Sequence, residues 1–311
     1  MDAIDTKILG ALVKDARTPA TRLAKLARVS REVAMYRLNR LVRRGIVRRF
    51  ITRIDLSRLG FVAAFLQVSI KPGREEEFKA YLEASPSISW VAEWTGKWSY
   101  GMNLVGKDNE EVDARFHALF ERFRADILNH RFLFHKRTRF FHEKFLGDAA
   151  GSGKKGSRTT TKVDDHDKST LQALSLDARV DYVTLSKKVP LTAQAIRQRI
   201  RKLERAGIIE QYSAFLDLRQ LGVQQYSIFA DIREVDSKKL LAYLTTHPKV
   251  AFVAEYHGDP LLEFGLFVKD PYALRPLLRE IETAFPALRV EELWLFEEMI
   301  RSIGPPRCVF E

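Results

Sequence analysis

Along the first 58 positions, apolar residues recur at helical spacing. Ile4, Ile8, Leu9 and Leu12 form one stripe, and Thr18-Pro19 opens a second helix carrying Leu23, Leu26 and Ala27. Ser30 is a side-chain cap for a third helix, whose inward face is Ala34, Leu38 and Leu41 and which Gly45 ends. The run Ile46–Asp55 then alternates and predicts a two-stranded wing. Two short helices joined tightly, the second with its own cap, are a helix-turn-helix. From Phe61 the period changes. A β-rich run to Ile70, a helix over Glu75–Glu83, strands over Ile88–Thr95 and Trp98–Val105, a helix over Asn109–Arg124 and a strand over Arg131–Phe141 predict a βαββαβ ferredoxin-like unit. The bare face of such a sheet needs a cover, so sheet-to-sheet packing between units is expected.

The whole pattern occurs twice. A shift of 162 residues superimposes the halves without a gap: Asp15-Ala16-Arg17 falls on Asp177-Ala178-Arg179, Gly45-Ile46 on Gly207-Ile208, and Val91-Ala92-Glu93 on Val253-Ala254-Glu255. A constant offset over such a length marks a duplication. The second copy repeats the capped third helix, from Thr192 through Ile196, Ile200 and Leu203 to Gly207. The copies are joined by GDAAGSGKKGSRTTTK, whose composition is that of a flexible tether spanning roughly 20–24 Å. The predicted organisation is α+β: a helix-turn-helix unit (1–58), a ferredoxin-like unit (59–146), a linker (147–162), a second helix-turn-helix unit (163–220) and a second ferredoxin-like unit (221–311).

Charge adds a direction to this picture. The 311 residues carry 52 Lys+Arg against 40 Asp+Glu, a net +12. The excess is uneven: residues 1–58 hold 15 basic against 5 acidic residues, a net +10, whereas residues 163–220 hold 10 against 8, a net +2. A basic head with a helix-turn-helix pattern points to a polyanion, double-stranded DNA. The single cysteine, Cys308, excludes a disulfide framework, and no stretch of about 18 apolar residues is present, so a cytoplasmic location without a membrane span is expected.

The segments SREVAMYRLNRLVRRGIV (Ser30–Val47) and TAQAIRQRIRKLERAGII (Thr192–Ile209), each followed by a ferredoxin-like unit, resemble the Lrp/AsnC (feast/famine) transcription regulators. The resemblance covers nearly the whole chain, twice. It implies a regulator built as a covalent pseudo-dimer, able to self-associate further, that senses a small, amino-acid-like effector in its ferredoxin-like units and needs no cofactor.

Residues at the start of a recognition helix reach base edges, here Ser30, Arg31, Glu32, Met35, Tyr36 and Asn39. Arg40, Arg43, Arg48, Arg49 and Arg53 suit phosphates. In the second copy the corresponding set is Thr192, Gln194, Arg197, Gln198 and Arg201, with the glutamines as adenine readers. The bland alternative for such a run is a solvated helix face. Arg37, beside the apolar stripe, is a candidate for an internal ion pair. The first head is expected to supply most of the phosphate energy.

The resemblance places an effector near the hairpin Gly96-Lys97-Trp98-Ser99 and its counterpart at Gly258; the candidate contacts are Gly96, Trp98, Ser99 and Gly258. Ser99 stands where an acidic residue is looked for, and Trp94 and Trp98 also suit core packing. His130, His135 and His142 make no metal site, since His130 and His142 lie about 40 Å apart on an extended strand and His135 faces away. The aromatic-basic stretch HRFLFHKRTRFF lacks an accompanying RNP1 pattern and reads as packing. No nucleophile triad, Gly-rich phosphate loop or paired-carboxylate motif occurs, so an enzyme is not expected. The alternatives are an enzyme similar to the sirohaem decarboxylases, some of which share this two-domain build in tandem, and an architectural DNA-compacting protein.

Overall fold

The computed structural model describes residues 1–141, 144–146, 162–257, 262–301 and 304–310. The tether, apart from Lys162, lies outside the described residues, as do Gly258 and His142.

The first head consists of α1 (Ala3–Lys14), α2 (Ala20–Ala27), α3 (Arg31–Arg43) and β1 (Val47–Ile54). Asp2 caps α1 and Ser30 caps α3, each accepting a backbone N–H of the first turn. Leu9, Leu12, Leu23, Ala34, Leu38 and Leu41 form its buried centre. The second head repeats this with α6 (Asp165–Leu176), α7 (Tyr182–Lys188), α8 (Ala193–Arg205) and β6 (Ile209–Leu216).

The expected wing is corrected in one respect. Each head contributes one strand, not a hairpin, and the two strands pair with each other: β1 runs antiparallel to β6, with Phe50 opposite Ala214 and Thr52 opposite Tyr212. The alternation of residues 46–55 encodes a strand correctly, but its partner lies some 160 positions away, beyond any local signal. Repeat-related bonds flank this ribbon. Ala16 N–H donates to Tyr212 O and Ala178 N–H to Phe50 O, both at 3.0 Å. The Arg17 guanidinium donates to Ala178 O at 2.8 Å, and Arg179 reciprocates onto Ala16 O. The duplicated Asp-Ala-Arg triplet is thus a clasp between the heads.

The first ferredoxin-like unit comprises β2 (Val62–Ile70), α4 (Glu75–Ala84), β3 (Ile88–Thr95), β4 (Tyr100–Gly106), α5 (Asn109–Phe123) and β5 (Ile127–Phe140). The second comprises β7 (Gln224–Asp231), α9 (Ser237–Thr246), β8 (Val250–His257), β9 (Leu262–Val268), α10 (Pro271–Ala284) and β10 (Arg289–Arg301). The two sheets close into one eight-stranded antiparallel barrel, in the order β10-β3-β4-β2-β5-β8-β9-β7. Closure depends on the long last strands. β5 pairs with β2 up to Phe134 and from there with β8 of the other copy, and β10 pairs with β7 and then with β3. The expected sheet-to-sheet contact therefore takes the form of a shared barrel.

Strand alternation sorts the side chains. Ala64, Leu66 and Val68 of β2 pack under α4 and α5, while Phe65 and Gln67 point into the barrel with Trp94, Trp294, Phe229 and Tyr256. The rings of Phe65 and Phe229 stack on Tyr256 at centroid distances of 5.4 and 5.9 Å. Glu263 is buried among them, accepting hydrogen bonds from Ser227 Oγ at 2.5 Å and Tyr256 Oη at 2.6 Å. Burial raises its carboxyl to about 7, against the pull of those two hydrogen bonds.

Two outcomes test this core. A Cβ at Gly101 would overlap the Trp94 ring, whereas one at Gly10, within α1, meets nothing within 4 Å. Gly101→Ala should cost about 1–3 kcal/mol and Gly10→Ala should gain about 0.5–1 kcal/mol, read from urea unfolding. Because the folded-state pKa of Glu263 lies above its unfolded value of 4.5, stability should fall as pH rises from 4.5 through 7, by about 3 kcal/mol in all. Glu263→Gln should flatten that slope, and a slope equal to that of the wild type would contradict the assignment.

Candidate nucleic-acid interface and effector region

In the first head Ser30, Arg31, Glu32, Tyr36, Asn39 and Arg43 are exposed on α3. Met35 is half-buried and packs against the head's core, a poorer position for a base contact than its place in the sequence suggested. Arg37 and Arg40 are turned inward. Arg37 pairs with Asp2 and Asp5, and Arg40 Nη2 lies 2.8 Å from Asp5 Oδ2. The Asp2 carboxyl is held below its usual range by the backbone N–H of Asp5 and by Arg37. These pairs tie the recognition helix to the N-terminus of α1.

The second head builds the same clamp. Arg199 meets Asp164 at 2.7 Å and Asp167 at 2.8 Å, and Lys202 meets Asp167 at 2.9 Å. Thr192, Gln194, Arg197, Gln198 and Arg201 stand exposed on α8, the first of them capping the helix through Ala195 N–H. The sequence-predicted residues of each helix therefore share one exposed face, with Met35 and Arg40 as the exceptions.

The arginines expected in the wing lie on the ribbon shared by the two heads. Arg48 Nη2 is 2.8 Å from Asp217 and its Nη1 3.6 Å from Glu298; Arg53 bonds Gln211 at 3.2 Å and lies 3.6 Å from Glu210. Arg49 is exposed. With β1 paired to β6, these three residues lie along a ribbon shared by the heads and not on a hairpin of the first head alone.

The hairpin picked out for an effector is packed shut in the first copy. Trp98 is buried and its Nε1 donates to Glu292 at 3.1 Å; Lys97 Nζ lies 2.7 Å from the same carboxylate, and Arg131 grips it with two bonds of 2.9 and 2.6 Å. Burial alone would raise the Glu292 carboxyl, but the bonds from Arg131, Lys97 and Trp98 overcome it and hold the group at about 2. Ser99 Oγ accepts the backbone N–H of Ile70, and Gly96 lies against Trp294. The carboxylate beside this hairpin thus comes from the other copy, at a position that spacing along the chain does not reveal. Among the described residues no group of three or more His, Cys, Asp or Glu side chains converges as for a metal, and no helix is long and apolar enough to cross a membrane.

Two further clefts, missed by the sequence reading, lie where the heads meet the barrel. One, of about 620 Å³, is lined by Arg53, Leu56, Phe61, Lys136, Arg137 and neighbours; the other, of about 320 Å³, is lined by Arg48, Leu218, Arg219, Glu297, Glu298 and neighbours.

Comparison with known proteins matches both heads. The AsnC-type helix-turn-helix domain matches residues 1–42, and the winged helix-turn-helix DNA-binding family matches residues 163–210. The transcriptional regulator LrpC of Bacillus subtilis is 30% identical over 114 residues, 36% of this chain and 79% of its own length. The regulator FL11 of Pyrococcus furiosus is 28% identical over 114 residues, again 36% of this chain and 76% of its own. LrpA of Pyrococcus horikoshii is 29% identical over 141 residues, 42% of this chain and 99% of its own, so that relative is one copy long. At full length the fold is shared with the sirohaem decarboxylase NirDL, at a TM-score of 0.66 and 17% identity, covering 96% of this chain and 93% of that one. With two helix-turn-helix heads and this degree of identity to LrpC, the chain belongs to the Lrp/AsnC family of transcription regulators, in a tandem form.

Proposed function

We propose that the chain regulates transcription as a covalent pseudo-dimer, with two non-equivalent heads docking on one DNA duplex and a small-molecule effector altering their disposition. One observation carries this reading: α3 and α8 each present an exposed polar N-terminal face while their inner cations are locked to the first helix of the same head. A helix braced in this way presents its outer residues to a major groove at a defined angle. The β1–β6 ribbon would fix the separation of the heads, and a ligand that changed the seating of the ribbon on the barrel would change DNA affinity. The charges of +10 and +2 assign most of the phosphate attraction to the first head, leaving Gln194 and Gln198 to read adenine in the second.

A second reading rests on the full-length fold likeness to a sirohaem decarboxylase. It would make the heads structural and the barrel catalytic, at odds with the surplus of arginines on α3. Anaerobic incubation of the protein with sirohaem, followed by chromatography of the pigment, separates the two: an unchanged pigment is expected, and release of carbon dioxide would replace the regulator reading.

Selection of genomic fragments by the purified protein should enrich short pseudo-palindromes, with protection confined to one site. Length-dependent, uniform coverage would indicate compaction instead. On a selected fragment, Arg43→Ala should lower the slope of log affinity against log salt by about 1, and Arg31→Ala should relax base preference at its contacted position. Gln194→Ala with Gln198→Ala should relax base preference and leave that slope nearly unchanged. Failure to bind any fragment above non-specific affinity at physiological salt would overturn the proposal.

A further inference from the structure

The two clefts between heads and barrel are copies of each other. Under the 162-residue shift Asp55 becomes Asp217, Leu56 becomes Leu218, and His135-Lys136-Arg137 becomes Glu297-Glu298-Met299; Arg48 becomes Glu210. The duplicated site has therefore been inverted in charge.

In the second copy the cleft supplies its own anion. The Glu298 carboxylate reaches Arg48 and Arg219 at 3.6 Å each and Lys79 at 3.7 Å, and Arg48 also holds Asp217. In the first copy the acids are already matched, Glu210 with Arg53 at 3.6 Å and Asp55 with Arg58 at 3.2 Å. Lys136 and Arg137 line that cleft, exposed, and make no ion pair or side-chain hydrogen bond among the described residues. They are a surplus of two cations at the mouth of a pocket.

The pocket continues inward. A lobe of about 210 Å³ shares Ala63, Ser89, His135, Thr138 and Phe140 with the cleft and is walled by Phe65, Trp90, Phe252 and Phe296. Its polar groups are neutral at moderate pH. Burial lowers His135 to about 4, and with Asn103 Oδ1 accepting from Nε2 at 2.9 Å, the ring's Nδ1 accepts from Thr138 Oγ1 at 3.2 Å. Glu263, also in the wall, keeps its proton up to about pH 7. Such a lobe accommodates a flat apolar body and penalises a charge, while the mouth favours an anion.

We propose that the first head–barrel cleft binds a small aromatic carboxylate, its acid group between Lys136 and Arg137 and its ring in the lobe beside Phe65 and Trp90, and that the second cleft is kept closed by Glu298. This site would be the effector site of the regulator proposed above, and only its coupling to DNA rests on that reading. The ligand would lie between the barrel and the segment that follows β1, and so bear on the seating of the first head.

Titration calorimetry of the full chain with 2-naphthoate tests the site. One equivalent should bind, with quenching of tryptophan fluorescence from Trp90, while the neutral 2-naphthamide and the cationic 2-naphthylmethylamine should bind at least ten-fold more weakly. Lys136→Gln with Arg137→Gln should weaken 2-naphthoate at least ten-fold with an unchanged melting temperature, since both side chains are exposed. Glu298→Gln should raise the stoichiometry to two by releasing the cations of the second cleft. Absence of binding at millimolar 2-naphthoate, equal binding of the amide, or unchanged affinity in the double variant would overturn the proposal. Binding that leaves DNA affinity unaltered would uphold the site and reject its coupling to the heads.

Discussion

Each of the two long strands β5 and β10 serves two ladders, one within its own copy and one with the other. Past Phe134 and Phe296 their backbone groups have no partner in their own unit, and an isolated unit would leave a long, partly apolar strand edge open to solvent. Closure into one barrel removes the open edges of the two ferredoxin-like sheets, and it makes these sheets a single folding unit despite the tether. The rest of the structure is built on this condition. The barrel interior exists only when both sheets are present, so Phe65 of one copy stacks on Tyr256 of the other and Arg131 finds Glu292 across the seam. The ribbon β1–β6 repeats the same logic at the level of the heads, where Leu216 packs in the first head and Phe50 against the second.

Duplication followed by divergence explains which features occur twice. The clamps of Asp2, Asp5, Arg37 and Arg40 and of Asp164, Asp167, Arg199 and Lys202 have matching geometry because each sets the angle of a recognition helix within its own head. The residues outside the clamp differ: Arg31, Glu32, Tyr36 and Asn39 on α3 stand against Ala193, Gln194, Gln198 and Arg201 on α8. The seam has diverged as well. The counterpart of Glu292 in the first copy is His130, and that of Arg131 is Leu293, so the half-buried bidentate pair of Arg131 and Glu292 has no equivalent at those positions.

Features set by local chemistry were legible in the sequence. Caps at Ser30 and Thr192, the inward rows Ala34-Leu38-Leu41 and Ile196-Ile200-Leu203, and the change of period after Phe61 place the helices and strands within a few residues. Features set by pairing between the copies were not. The strand at 47–54 reads as half of a hairpin because its partner β6 is more than 150 residues away, and the ion pairs of Arg48 and Arg53 follow from that partner. Arg37 announced its internal role by standing beside the apolar stripe, whereas Arg40, one turn on, gave no such sign. The hairpin at Gly96 has no acid of its own next to the glycine, and the carboxylate that Lys97 and Trp98 meet comes from β10 of the other copy.

The same asymmetry bears on how one chain can do what two identical subunits cannot. In a symmetric pair both head–barrel clefts carry the same charge, so any change favouring an anion at one favours it at the other. Here Lys136 and Glu298 occupy equivalent positions with opposite signs. The second head is braced to the barrel through Arg219 and the ribbon through Arg48, both gathered on Glu298, while at the first junction the cations face an open cleft. One head thus sits on a junction held by internal ion pairs and the other on a junction that an outside anion can complete. Covalent duplication lets those two states coexist, because each cleft is encoded by its own residues.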